Sequence, residues 1–187
     1  MEVLKVALVV AFLACTGPGR GGSATGPLPQ DMPEYPLKAA FLYNFAKYTQ
    51  WPDDAFEQPD SPIVVAVAGA DPFGPELEKV LQGKTVGSRP FKIERFKELP
   101  EIRRCHILFV PKSEQSRQAQ IQERIRTWPV LTVGEDPAFA RSGGVLSILV
   151  VEREPRLEVN AVAAERHRLT IHAKLLRLAT PVKEEGK

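Results

Sequence analysis

The residues best placed for chemistry in this chain sit in short turns after apolar runs. The first is Gly69-Ala-Asp71-Pro72-Phe73-Gly74, which follows the run Ile63-Val-Val-Ala-Val-Ala68. Gly69, Asp71 and Gly74 have the spacing of a dinucleotide-binding loop, but a carboxylate stands where the middle glycine lets a backbone approach a pyrophosphate. Glu76 and Glu78 add negative charge to the helix start that follows, so a phosphate would be repelled there. Asp71-Pro72 instead reads as a turn, with Gly74 and Pro75 opening the helix. The second position is Glu135, after Val133-Gly134. Ligands of open α/β sheets favour the carboxyl ends of the strands, so Asp71 and Glu135 converge there as an acid/base pair, as metal ligands or as turn caps. The third is His172, beside Lys174, which reads as solvated surface or as the wall of a polar pocket.

The other histidines have structural readings: His106 begins a buried strand, and His167 lies near a helix end that favours a cation. No Gly-x-Ser-x-Gly, His-Glu-x-x-His or Cys-x-x-Cys pattern occurs in the chain. No catalytic residue, metal or cofactor is expected. Cys105, at the start of His106-Ile-Leu-Phe-Val110, reads as a buried thiol without a disulfide partner.

The elements that must position these residues alternate in period. Leu37, Ala40, Phe41, Phe45 and Tyr48 follow helical spacing over Pro36 to Gln50, with Asn44 on the same stripe and Trp51-Pro52 as the stop. Strands are expected at Ile63–Ala68, Phe91–Phe96, His106–Val110, Val130–Val133, Val145–Val151 and Arg156–Val159. Helices are expected at Pro75–Gln82, at Ser113–Arg126, and from an Asn160 cap through Arg166. Leu169–Ile171 reads as a short extended piece and His172–Leu178 as a last helical turn or two. The pattern is that of an α/β fold: a single-domain three-layer sandwich around a mostly parallel, mixed sheet of about six strands. The close succession of 145–151 and 156–159 implies an antiparallel pair at one side.

The chain has 187 residues and a formal charge of +2 spread along its length, which argues against a nucleic-acid surface. Val6–Ala14 is an apolar run too short to span a bilayer, and it fits the core of a secretory signal peptide. We read residues 1–24 as that signal, 25–35 as a flexible lead-in, 36–180 as the domain and 181–187 as a disordered tail. Cleavage after Ala14 would instead expose Cys15 for lipidation, although Phe12-Leu13 is a poor lipoprotein box. No other stretch approaches membrane-spanning length.

Several motifs, taken in order, carry a resemblance. Lys38-Ala-Ala-Phe-Leu-Tyr-Asn-Phe-Ala46 with Trp51-Pro52, the Gly69–Gly74 loop, Arg89-Pro90 and Cys105-His-Ile-Leu-Phe109 resemble the YfiR family of exported bacterial proteins. So do Val130-Leu-Thr-Val-Gly-Glu135, Gly143-Gly144, Asn160 and Lys174-Leu-Leu-Arg-Leu-Ala179. The resemblance implies a periplasmic, non-enzymatic regulator that represses a membrane-anchored diguanylate cyclase by binding its periplasmic sensor domain, and so controls cyclic-di-GMP and biofilm growth. Three positions depart from the family pattern. Ala66 stands where redox-sensitive members carry a cysteine, which leaves Cys105 unpaired. Arg168 stands where a glycine is common, and a left-handed arginine would cost about 1 kcal/mol. His172-Ala173-Lys174 replaces a frequent Ser-Ser-Lys.

Two functional readings remain open. In one, the chain binds the periplasmic domain of an inner-membrane signalling protein through an aromatic patch, Tyr48, Trp51 and Phe56, bordered by Asp53 and Asp54. There Trp51 is either an interface anchor or a plug of the core. In the other, it is a periplasmic small-molecule-binding protein with a pocket near Asp71, Glu135, His172 and Lys174, whose ligand modulates a membrane partner. A hydrolase lacks a recognisable nucleophile–base pair. A second copy of the chain is a further candidate partner.

Overall fold

The computed structural model describes residues 33–152 and 154–184. The expected signal peptide, Cys15 and most of the lead-in lie outside the described residues. In chain order the elements are α1 (Glu34–Lys47), β1 (Thr49–Gln50), β2 (Ile63–Ala68), α2 (Glu76–Leu81), β3 (Thr85–Val86), β4 (Arg89–Phe96) and β5 (Ile107–Val110). They continue as α3 (Gln118–Ile125), β6 (Leu131–Gly134), β7 (Leu146–Val151), β8 (Glu154–Val159), α4 (Ala161–Arg166), β9 (Thr170–Ile171), α5 (Ala173–Leu178) and β10 (Thr180–Pro181).

The main sheet has the order β10-β8-β7-β6-β5-β2-β4-β3. β4, β2, β5, β6 and β7 run parallel, while β8 returns antiparallel along β7 from Leu146↔Val159 to Val151↔Glu154. The expected antiparallel pair is present. The sheet has eight strands against the expected six because β3 and β10 add two-residue edges; the six longer strands are those read from the sequence.

Period-two burial on both faces makes the middle layer. Ile63, Val65, Val67, Ile107 and Phe109 face a core shared with Leu37, Phe41 and Phe45 of α1, Ala163 of α4 and Leu175 of α5. Ala66, Ala68, Leu108 and Val110 face a second core shared with Ile121 and Ile125 of α3. Near-continuous apolar strands are what a sheet covered on both sides requires. No helix among the described residues is long and apolar enough to cross a membrane.

Some boundaries differ for identifiable reasons. α1 begins at Glu34 rather than Pro36 and ends at Lys47 rather than Gln50, because Thr49 and Gln50 are taken into antiparallel pairing with Ile171 and Thr170. The polar helix expected from Ser113 starts as a 3-10 turn, Lys112–Arg117, with α-geometry only from Gln118. The segment expected as a tail from residue 181 begins inside β10, and the Val182 N–H donates to the Val159 carbonyl at 2.9 Å. Asn44 has the neighbouring-backbone partner its position demanded, donating to the Ala40 carbonyl at 3.1 Å.

Candidate functional site

The chain passes from β2 to β4 on one side of β2 and then crosses to β5 on the other, so the carboxyl ends of β2 and β5 form a topological switch point. The space above the glycine loop there is filled from within. Gly69 has φ +71°, and a Cβ on it would lie 2.1 Å from Oε1 of Glu114. That buried glutamate is paired with Arg117 at 2.6 Å. Asp71 closes its own turn by accepting from the Phe73 N–H at 2.8 Å, and its other oxygen accepts from Nε of Arg95 at 2.7 Å. Arg95, near the end of β4, also grips both carboxylate oxygens of Glu78, at 2.6 and 3.1 Å.

Glu135 lies at the same edge but has separate partners. One oxygen accepts from the Lys112 N–H at 2.8 Å and the other from Nζ of Lys38 at 2.5 Å. Lys38 is 2% exposed, pairs also with Glu34, and stands 4.9 Å from the Tyr35 ring centre. Burial alone would push its ammonium pKa down; the hydrogen bonds it donates to Glu135 and Glu34 carry it above the ordinary lysine value. Asp71 and Glu135 therefore share an edge without forming an acid/base pair: each carboxylate is committed to its own cation.

The aromatic residues divide in two. Trp51 is 8% exposed and donates Nε1–H to the His106 carbonyl at 3.1 Å, so it is built into the core. Half-buried Phe56 stacks on the His106 ring at 4.3 Å and 13°, with the Arg89 guanidinium 3.5 Å from the Phe56 ring centre. Nδ1 of His106 accepts from the Val64 N–H and Nε2–H donates to the Ala55 carbonyl, both at 3.0 Å. Burial, helped by Arg89 and opposed by the Ala55 bond, lowers the His106 pKa. Tyr48 instead meets His172: the rings lie 6.1 Å apart, and the His172 N–H donates to the Tyr48 carbonyl at 2.8 Å. Nδ1 of His172 caps α5 by accepting from the Lys174 N–H at 3.1 Å, and both side chains are exposed.

A groove of about 920 Å³ opens elsewhere, between α3, the loop after β6 and the end of α4. Gln122, Asp136, Gly143, Arg166, His167 and Glu184 are among its walls. Asp71, Glu135, His172 and Lys174 are not.

A family model described as YfiR/HmsC-like matches residues 35–180. This chain belongs to the YfiR/HmsC-like family. No curated relative matches it.

The departures of this YfiR/HmsC-like chain from the family pattern now have physical settings. Cys105 is buried and has no disulfide partner among the described residues, and its thiol pKa is pushed far up by burial, with Glu94 adding to the effect. Arg168 does adopt φ +56° at the end of α4, and its guanidinium pairs with Asp54 at 2.9 Å. The residues that sequence reasoning passed over are those whose partners are distant in the chain. Lys38 stands out in the sequence only as part of a motif, and its partner Glu135 lies 97 residues away. Gly143 read as a plain turn and Arg166 as a helix end, although both line the groove.

Proposed function

We propose that this chain is a non-enzymatic periplasmic regulator, exported by residues 1–24, that represses a membrane-anchored diguanylate cyclase by binding its periplasmic sensor domain. The observation that carries this reading is the family match across the whole domain, residues 35–180. It is supported by the site chemistry, since the carboxylates best placed to act as acid or base are each held by a cation. The contact residues in this reading are the half-exposed Tyr48, which meets exposed His172, and the half-exposed Phe56, which Trp51 supports from the core. Aromatic side chains on a firm base are the usual anchors of such contacts.

The test is co-expression of the full chain with a cyclase carrying a periplasmic sensor domain, reading cyclic-di-GMP and capture of the cyclase from membranes. Capture with lowered cyclic-di-GMP is expected, and Tyr48→Ala/Phe56→Ala should lose both while still unfolding in one cooperative transition. A captured cyclase with unchanged cyclic-di-GMP would remove the repressor reading. A folded double variant with full capture would move the contact elsewhere.

A further inference from the structure

The groove between α3 and α4 holds a carboxylate of the chain itself. Glu184 arrives two residues after the last backbone hydrogen bond of the C-terminal segment, that of Val182. Its two oxygens accept from the guanidinium of Arg166 at 3.2 and 2.6 Å, the two-pronged geometry in which arginine recognises carboxylates. The seat beneath is shaped for it. Gly143 has φ +98°, and a Cβ there would come within 2.7 Å of the Glu184 carboxylate, 3.3 Å of the Gln122 amide oxygen and 3.7 Å of the Arg166 guanidinium. A side chain at 143 would occupy the place where the carboxylate sits.

Two further groups point to a ligand larger than one carboxylate. The amide nitrogen of Gln122 is buried with no hydrogen-bond partner among the described residues, which leaves a donor unused in the wall. His167 is 5% exposed, and its Nδ1–H is spent on the Trp128 carbonyl at 2.7 Å. Nε2 is thereby the acceptor nitrogen of a histidine in the groove wall. A groove of this volume with a few converging polar groups has the size and character of a small-molecule site.

We propose that the α3–α4 groove is a binding site for a small carboxylic acid, recognised through its carboxylate by Arg166 over Gly143, and that Glu184 is the internal occupant such a ligand displaces. This takes up the ligand-binding alternative read from the sequence, and it stands independently of the cyclase contact. Because the competing carboxylate is tethered, it is present at a high effective concentration, so external ligands bind the native chain weakly. Removing the tethered charge should expose the site.

The test is calorimetric titration of the purified full chain and its Glu184→Gln variant with sodium succinate, lactate and phenylacetate, with sodium sulfate at matched ionic strength as the control. At least one carboxylate should bind the variant saturably and about tenfold or more tightly than the unchanged chain. Adding Arg166→Lys, which keeps the charge but loses the fork, should abolish that gain while melting curves stay close. No saturable binding to the variant up to about 10 mM would overturn the proposal, because that weakness lies below useful affinity. Equal binding of sulfate, or binding of an acidic hexapeptide without any small acid, would overturn it as well. A second measurement does not depend on the ligand: in Arg166→Gln, amide exchange at 182–184 should rise. Unchanged exchange would show that the cradle does not hold the segment.

Discussion

Trp51 shows how one side chain decides between two functional readings. Its indole N–H is used by the His106 carbonyl and its ring is edge-on to both Phe56 and His106, so truncation removes a buried ring together with a buried hydrogen bond. Trp51→Ala should destabilise the fold by about 3–5 kcal/mol in urea unfolding, the usual range for a buried aromatic. A variant that keeps native stability would return Trp51 to the list of interface anchors. Arg168 poses the opposite case, a residue the fold tolerates at some cost. Its N–H donates to the Glu165 carbonyl and that of Leu169 to Ala164, a helix-ending turn that needs a left-handed residue. Its ion pair with Asp54 is exposed and weakly stabilising. Arg168→Gly should therefore stabilise the domain, by up to about 1 kcal/mol. A lower melting temperature would mean that the Asp54 contact outweighs the backbone strain.

At the scale of elements, the Lys38–Glu135 pair fastens the first half of α1 to the end of β6. Both side chains are nearly buried, at 3% and 8% exposure, so loss of one partner leaves the other desolvated and uncompensated. Lys38→Met should cost about 3–5 kcal/mol. Adding Glu135→Gln, which keeps an acceptor for the Lys112 N–H but removes the stranded charge, should recover about 2 kcal/mol of that loss. Unfolding free energies of the four proteins in the cycle check both numbers. A strictly additive cycle would show that the pair is incidental to the docking of α1. Asn160 joins two other elements: its side chain caps α4 through the Ala163 N–H and donates to the Ala140 carbonyl in the loop before β7. The cap was legible from an asparagine before a short helical run. The second bond was not, because it depends on a loop that only the assembled sheet brings near.

For the whole molecule, two buried neutral histidines set a pH dependence. Burial lowers the pKa of both His106 and His167 below the ordinary 6.5. Above that value neither the folded nor the unfolded chain protonates them, and stability is at its full level. As pH falls below 6.5, the unfolded chain takes up protons that the fold resists, so stability declines until the folded pKa values are reached. Each histidine contributes a slope of at most about 1.4 kcal/mol per pH unit. Urea unfolding from pH 7.5 to 5 should show this decline, and a folded His167→Gln variant should show a shallower one. Constant or rising stability over that range would mean that the histidines are not held neutral.

What the sequence determined by itself was everything governed by local period and local turn chemistry. Three valines in a six-residue apolar run implied a strand buried on both faces, Asn160 announced a helix start, and the two neighbouring β runs implied an antiparallel pair. The motif order implied the family that the match over 35–180 shows. Tertiary structure alone decided which charges meet. Asp71 and Glu135 stand at one sheet edge, as strand-end logic requires, yet Arg95 and Lys38 reach them from other elements and each takes one of them. The cradle at Arg166 needed three segments to converge: Gln122 on α3, Gly143 in a loop, and Glu184 beyond the last strand. Periodicity reports which side of an element is buried, but it does not report what lies across the gap. Ion pairs and grooves are made by long-range packing, and their partners leave no mark at fixed spacing in the chain.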